Sequence, residues 1–90
     1  MLNIVVIGAG HLGEFHIKLL SSSKLFNLVG FYDSDKLRVK FIQDKYNIKF
    51  IEVEKISSLT DSIIISNPTS FHYKTAIKFL KEKKHVFIEK

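Results

Sequence analysis

The fold is decided by the stretch Leu2-Asn3-Ile4-Val5-Val6-Ile7-Gly8-Ala9-Gly10-His11-Leu12-Gly13. The β-branched run from Ile4 to Ile7 predicts a strand buried on both faces, as in a parallel sheet covered by helices. After the glycines, apolar residues recur at helical spacing, which predicts a helix that packs on the sheet. The apolar stripe of this helix comprises Leu12, Phe15, Ile17, Leu19 and Leu20.

The three glycines form a G-x-G-x-x-G pattern between strand and helix. Gly8 permits a sharp turn, Gly10 lets the backbone approach a pyrophosphate, and Gly13 lets helix and strand pack closely. The free N–H groups and the positive end of the dipole at the helix N-terminus face the same anion. We therefore predict a dinucleotide site formed by Gly8, Gly10, His11, Leu12 and Gly13. The side chain of His11 either donates to a pyrophosphate oxygen or faces solvent.

An acidic residue follows the second predicted strand, Leu28-Val29-Gly30-Phe31-Tyr32. Asp33 lies 20 residues after Gly13, about the distance at which a carboxylate accepts hydrogen bonds from the adenosine ribose hydroxyls. Its charge repels a 2′-phosphate, so NAD is favoured over NADP as the cofactor. NADP stays open because Ser34, Lys36 or Arg38 is near enough in sequence to compensate.

Composition narrows the class of protein. The chain has 90 residues, a net charge of +5 and no cysteine, which fits one small domain and excludes cysteine catalysis. No apolar run approaches the roughly 20 residues of a membrane span, and no leader pattern is present. We expect a cytoplasmic protein with no membrane partner. We expect no nucleic-acid partner either, because Lys74, Lys78 and Lys81 lie opposite the apolar face of one predicted helix.

The middle of the chain continues the alternation of strands and helices. Ser34 is predicted to cap a helix through Asp35 to about Tyr46, which Asn47 ends. A short third strand is predicted at Lys49 to Ile51, followed by a helical turn or loop at Val53 to Leu59. The positions predicted to be buried in this part are Leu37, Phe41, Ile42, Ile56 and Leu59.

The last third supplies two more strands. Ile63 to Ile65 form the fourth, and Pro68 ends it. A helix capped by Thr69 or Ser70 runs to about Lys83, with a buried face of Tyr73, Ala76, Ile77 and Leu80, and His85 to Ile88 form the fifth strand. The whole pattern predicts an α/β, three-layer Rossmann fold. Its parallel sheet has about five strands in order 3-2-1-4-5.

Ligands of such sheets bind beyond the carboxyl ends of the strands, where the strand order reverses. The glycine loop and the segment of Ser66, Asn67, Pro68 and Thr69 should therefore face each other across the cofactor. His72 lies near the predicted nicotinamide side and either orients this loop or approaches substrate. His16 is predicted to be a packed core histidine. No metal site is predicted, because His11 and His16 do not share a helical face.

The sequence resembles the glucose-fructose oxidoreductase and inositol dehydrogenase family. The resemblance rests on Gly8-x-Gly10-x-x-Gly13-x-x-His16, on Asp33, on Asn67-Pro68-Thr69-x-x-His72 and on the ending Lys84-His85-Val86-Phe87-Ile88-Glu89-Lys90. Such enzymes carry a Glu-Lys-Pro signature, of which Glu89 and Lys90 match the first two residues. They join a Rossmann domain to a larger domain that holds most of the substrate site.

The resemblance implies that residues 1–90 are the N-terminal NAD(P)-binding domain of a longer oxidoreductase, inactive alone. It further implies that Lys90 is catalytic beside the nicotinamide, that Glu89 is near the cofactor, and that the second domain supplies the general base. The substrate would be the secondary alcohol or ketone of a carbohydrate-like small molecule. We expect the full-length enzyme to be a homo-oligomer. The alternatives are that Lys90 is only an exposed terminal lysine, that the chain is a non-catalytic NAD-sensing module, or that it is a methyltransferase or flavoprotein with a similar first unit.

Overall fold

The chain alternates strands and helices as the sequence pattern predicts. The structure is a computed structural model that describes residues 1–66 and 70–89, without the side chains of 70–73, 75 and 89. The strands are β1 (Leu2–Ile7), β2 (Phe26–Tyr32), β3 (Ser62–Ser66) and β4 (His85–Glu89). The helices are α1 (His11–Ser21), α2 (Lys36–Tyr46), α3 (Val53–Leu59) and α4 (Ser70–Lys81).

The strands form one parallel sheet in the order β2-β1-β3-β4. Two clusters of buried side chains lie against it. One joins Val5, Ile7 and Ile63 to residues of α3 and α4, and the other joins Val6 and Phe31 to residues of α1 and α2. Because side chains alternate between the faces of a strand, the two clusters lie on opposite faces. The predicted three-layer α/β architecture is therefore confirmed.

The predicted third strand is reduced to one bridge. Phe50 pairs in parallel with Phe31, because the Phe31 N–H donates to the Lys49 carbonyl at 3.0 Å and the Ile51 N–H donates to the Phe31 carbonyl at 2.8 Å. Asn47 caps α2 before this segment and Glu52 caps α3 after it, which leaves too few residues for a ladder. Within residues 1–66 and 70–89 the sheet thus has four strands, where five were predicted, in an otherwise unchanged order.

Helix α2 begins one residue later than predicted. Its N-cap is Asp35, whose carboxylate accepts from the N–H groups of Leu37 and Arg38, so the prediction of Ser34 as the cap is wrong. A carboxylate there satisfies free N–H groups and complements the helix dipole. The predicted end is confirmed, since Asn47 adopts the left-handed conformation at φ 52°.

Each helix buries a narrower face than predicted. In α1 the contact row is Gly13, Ile17 and the partly buried Leu20, because Gly13 brings the helix close to the sheet along that row. Phe15 and Leu19 lie beside it, about half exposed. Other predicted core residues are also exposed, namely Leu37, Phe41, Leu59, Ile77 and Leu80.

Three further predictions of burial are confirmed, whereas the predicted burial of Tyr73 lies outside the described side chains. Ile42, Ile56 and Ala76 are buried, and Phe79, which was not predicted, joins Ala76 under α4. The lysines of α4, Lys74, Lys78 and Lys81, are exposed as predicted. Among the described helices, none is long and apolar enough to cross a membrane.

Candidate functional site

The glycine loop lies where the strand order reverses. β2 pairs with one side of β1 and β3 with the other, so the loop after β1 sits at the carboxyl-end crevice where ligands of such sheets bind. Gly8 has φ +96°, and a Cβ on it would overlap the carbonyl oxygen of Ser66 at the end of β3. Its N–H donates to the Tyr32 carbonyl at 2.8 Å. The ends of three strands thus meet at one glycine.

Gly13 and Gly10 are glycines for different reasons. A Cβ on Gly13 would overlap the carbonyl oxygen of Gly8, so Gly13 is needed for the close packing of loop and helix. Gly10 has extended backbone, φ −69° and ψ −164°, which any residue adopts. Apart from Gly10 and its two chain neighbours, no heavy atom of the described residues lies within 4 Å of a Cβ built on it. The open space beside Gly10 fits a ligand that approaches the backbone, as a pyrophosphate does.

The N-terminus of α1 faces the same space. Gly10 is its N-cap, and no described side chain caps it. The Glu14 N–H donates to the Gly10 carbonyl at 2.8 Å, which leaves the N–H groups of the first turn without intrahelical acceptors. Such a terminus attracts an anion.

Asp33 is bonded directly to the glycine loop. Its Oδ2 accepts from the Ala9 N–H at 2.7 Å, and its Oδ1 accepts from the Asp35 N–H at 2.8 Å. Each carboxylate oxygen has a second lone-pair site for a further donor. The two bonds therefore position the carboxylate and leave it able to accept further hydrogen bonds. The sequence predicted the ribose role of Asp33 but not its bond to the loop.

Some of the other predicted site residues lie among the described residues and others do not. Ser66 is fully buried at the end of β3, and its Oγ has no hydrogen-bond partner among the described residues. His11 is exposed and Leu12 partly buried. Asn67, Pro68, Thr69 and Lys90 lie outside the described residues, as do the side chains of His72 and Glu89. Cofactor binding and catalysis by these residues therefore stay predictions.

His16 is partly buried, with its ring edge-on to Phe15 at a centroid distance of 6.0 Å. His16 was predicted to be a packed core residue, and the structure buries it only in part. In the part of the chain that the structure describes, no cluster of three or more acidic or histidine side chains could hold a metal ion.

A charged cluster that the sequence did not predict lies beside the loop. The Glu14 carboxylate accepts from Arg38 Nη2 at 2.6 Å, from Lys45 Nζ at 2.7 Å and from the Tyr46 hydroxyl at 2.6 Å. Arg38 Nε also donates to the Ala9 carbonyl. We call these four side chains the Glu14 cluster. It ties both ends of α2 to α1 and to the glycine loop.

The donors around Glu14 hold its carboxyl in the charged form. Hydrogen bonds from Lys45, Tyr46 and Arg38 lower the pKa of Glu14 to about 2 from an ordinary 4.5, although partial burial opposes the shift. The same bonds to Glu14 raise the pKa of Lys45 and of Tyr46. A lowered carboxyl pKa stabilises the fold above the unfolded-state pKa, and this contribution is lost as pH falls through the folded-state value.

We predict that Glu14 contributes to acid unfolding. As pH falls from about 4.5 toward about 2, the wild-type melting temperature should decrease more steeply than that of Glu14→Gln, since the variant has no carboxyl to protonate at this position. Thermal unfolding followed by circular dichroism in this pH range checks it. Asp44→Asn serves as the control, because Asp44 forms only an exposed pair with Lys40 at 3.3 Å. Parallel curves for wild type and Glu14→Gln would contradict the prediction.

Together, the parallel sheet, the glycine loop at its switch point and the acid after β2 define a Rossmann domain of the dinucleotide-binding class. Residues 2–90 match the model of the oxidoreductase family with an NAD-binding Rossmann fold. The chain belongs to this family, which confirms the resemblance seen in the sequence.

Several known proteins are similar to the chain. Glucose-6-phosphate 3-dehydrogenase of Bacillus subtilis strain 168 is 31% identical over 91 residues, which cover 100% of this chain and 26% of that protein. The structure of UDP-N-acetylglucosamine 3-dehydrogenase from Acidithiobacillus ferrooxidans matches with a TM-score of 0.84 and 28% identity, covering 99% of this chain and 29% of the other. A candidate myo-inositol dehydrogenase from Sinorhizobium meliloti 1021 matches with a TM-score of 0.87 and 25% identity, covering 100% and 28%. The chain thus spans about a quarter of the length of the relatives it matches.

Proposed function

We propose that the chain is the NAD-binding domain of an oxidoreductase that transfers hydride between nicotinamide and a secondary alcohol or ketone. The observation that carries this proposal is the joint geometry of Gly10 and Asp33. Gly10 leaves open space above the backbone, and Asp33 is held by the N–H of the adjacent Ala9. Gly10 is therefore available to contact a pyrophosphate. Asp33, which is bonded to the residue before Gly10, is available to contact a ribose.

The substrate proposed is a sugar, a sugar nucleotide or a cyclitol. Relatives whose names state dehydrogenation of a sugar phosphate and of a sugar nucleotide support this class. Because the chain spans about a quarter of such relatives, most of the substrate site would belong to a second domain, together with the general base. The full-length enzyme is proposed to be a cytoplasmic homo-oligomer.

In this proposal the bound cofactor supplies a nicotinamide ring that accepts or donates hydride. The glycine loop holds the pyrophosphate, with His11 and Leu12 at its edge, and Asp33 holds the adenosine ribose. Ser66, Asn67, Pro68 and His72 are proposed to contact the nicotinamide half, with Glu89 near it. Lys90 stabilises the alkoxide that develops on the substrate, or shares its proton with the base.

NAD is proposed as the preferred cofactor, with NADP as the alternative. The negative charge of Asp33 disfavours a 2′-phosphate. Arg38, which donates to the loop at the Ala9 carbonyl, is already bonded to the Glu14 carboxylate. A guanidinium paired in this way attracts a second anion less strongly than an unpaired one does.

Titration of the 90-residue chain with NAD⁺ and NADP⁺ tests the proposed cofactor. Wild type should bind NAD⁺ more tightly. Asp33→Ala should weaken NAD⁺ binding by about 10- to 100-fold, the effect of losing hydrogen bonds to a charged acceptor. Asp44→Ala, which removes an exposed carboxylate, should leave both affinities unchanged. Equal NADP⁺ binding by wild type, or full NAD⁺ affinity in a folded Asp33→Ala, would remove the argument for the acid.

A further inference from the structure

The Glu14 cluster places a cation beside the glycine loop and the acid that is proposed to bind the adenosine ribose. Ala9 donates its N–H to Asp33 and accepts a hydrogen bond from Arg38 at its carbonyl, so a single residue separates the ribose-binding carboxylate from the guanidinium. An arginine near this acid is the group that accommodates a 2′-phosphate in NADP-dependent Rossmann proteins.

Glu14 helps to fix the position of the Arg38 side chain and pairs with its positive charge. The Arg38 side chain is about three-quarters buried, and its Nη2 lies 2.6 Å from Glu14 Oε1. Its guanidinium also covers the ring of Phe41 at 4.8 Å. Held on these sides and at the Ala9 carbonyl, Arg38 is fixed in position and paired with a carboxylate that it shares with Lys45.

The remaining members of the cluster keep Glu14 fixed. The Tyr46 hydroxyl and Lys45 Nζ both donate to Oε2, while Arg38 Nη2 donates to Oε1. Lys45 is about half exposed, so its ion pair contributes little to stability. The Glu14 carboxylate is thus held at Oε2 by Lys45 and Tyr46 while it pairs with Arg38 at Oε1.

We propose that Glu14 is a specificity-determining residue of the dinucleotide site, which selects NAD by withholding Arg38 from a 2′-phosphate. The inference rests on the proposed function, because it presupposes dinucleotide binding at the glycine loop. Glu14 acts through Arg38 and is a positioning residue. Removing its charge should leave an uncompensated guanidinium beside the ribose subsite, where it can donate to a phosphate.

Titrations of the 90-residue chain with NAD⁺ and NADP⁺ test this, using wild type, Glu14→Gln and Glu14→Asp. Glu14→Gln should tighten NADP⁺ binding relative to NAD⁺ by about tenfold, which one charge-assisted contact supplies. Glu14→Asp retains the charge but withdraws it from Arg38, and should shift the same ratio by a smaller factor. Asp44→Asn, a carboxylate in an exposed pair on α2, should leave the ratio unchanged.

The double variant Glu14→Gln with Arg38→Met separates specificity from structure. It should return the ratio to the wild-type value, because the freed cation is gone. A merely structural role for Glu14 would weaken both dinucleotides equally and keep the ratio constant, which would overturn the inference. If Glu14→Gln does not fold, Glu14→Asp decides by the same ratio. Wild type that binds neither dinucleotide would instead overturn the proposed function and the inference with it.

Discussion

Gly13→Ala is expected to unfold or severely destabilise the domain, whereas Gly10→Ala should leave its stability nearly unchanged. Alanine normally stabilises a helix interior relative to glycine by about 1 kcal/mol, so the expected sign at Gly13 is reversed. The reason is steric, because the Gly13 Cβ would overlap the Gly8 carbonyl oxygen and lie 2.7 Å from its carbon. That oxygen belongs to backbone at the turn of the loop, and it cannot move away as a flexible side chain would.

The expected loss for Gly13→Ala is about 3 kcal/mol or more, at the upper end of overpacking effects. For a domain of this size, such a loss lowers the melting temperature by roughly 10 to 25 °C. Thermal unfolding by circular dichroism measures it, with Gly10→Ala as the matched control. A Gly13→Ala variant as stable as wild type would mean that helix and loop are less closely packed than described.

A third variant, Gly10→Val, tests the binding of NAD⁺ at the glycine loop. Valine should be tolerated by the fold, since no described atom lies near the added Cβ, but it should remove detectable NAD⁺ binding by filling the space of the pyrophosphate. Titration and circular dichroism on the same sample separate the two effects. Binding retained at wild-type affinity would reduce the loop to a simple turn.

The glycine loop and Asp33 could be predicted from sequence because their signals are local and chemically specific. Each glycine of the motif has a distinct predicted role, and the acid follows a strand of clear composition. The edge segment around Phe50 was harder. A three-residue run of suitable composition does not reveal whether its neighbours leave room for a ladder, and here two helix caps decide the outcome.

Helix faces and the Glu14 cluster could not be predicted in the same way. The apolar stripe of α1 is wider than its contact with the sheet, so sequence spacing does not distinguish buried Ile17 from exposed Phe15 and Leu19. The partners of Glu14 are 24 to 32 residues away in sequence. Only the packing of α2 beside α1 brings them together, and no motif records that packing.

The register of β3 and β4 shows where these two strands end relative to the glycine loop. Ser66 pairs with Glu89, so β3 and β4 end at the same edge of the sheet as the glycine loop. Lys90 is the next residue in the sequence, and the resemblance to the family implies that it is catalytic. Parallel strands of such sheets present ligand-binding residues just beyond their carboxyl ends.

In an enzyme that joins this domain to a substrate domain, Lys90→Met is expected to lower kcat by about 10² to 10⁴, equivalent to roughly 3 to 5 kcal/mol of transition-state stabilisation. NAD⁺ affinity should change little, because the glycine loop and Asp33 are proposed to hold the pyrophosphate and adenosine. Steady-state kinetics and NAD⁺ titration measure the two effects separately.

Lys81→Met, on the exposed face of α4, is the control and should retain full activity. The isolated 90 residues should bind NAD⁺ without turnover. A normal kcat in Lys90→Met would favour the alternatives that Lys90 is only an exposed lysine and that the protein is a non-catalytic sensor. A loss of NAD⁺ affinity as large as the loss of rate would make Lys90 a cofactor-anchoring residue.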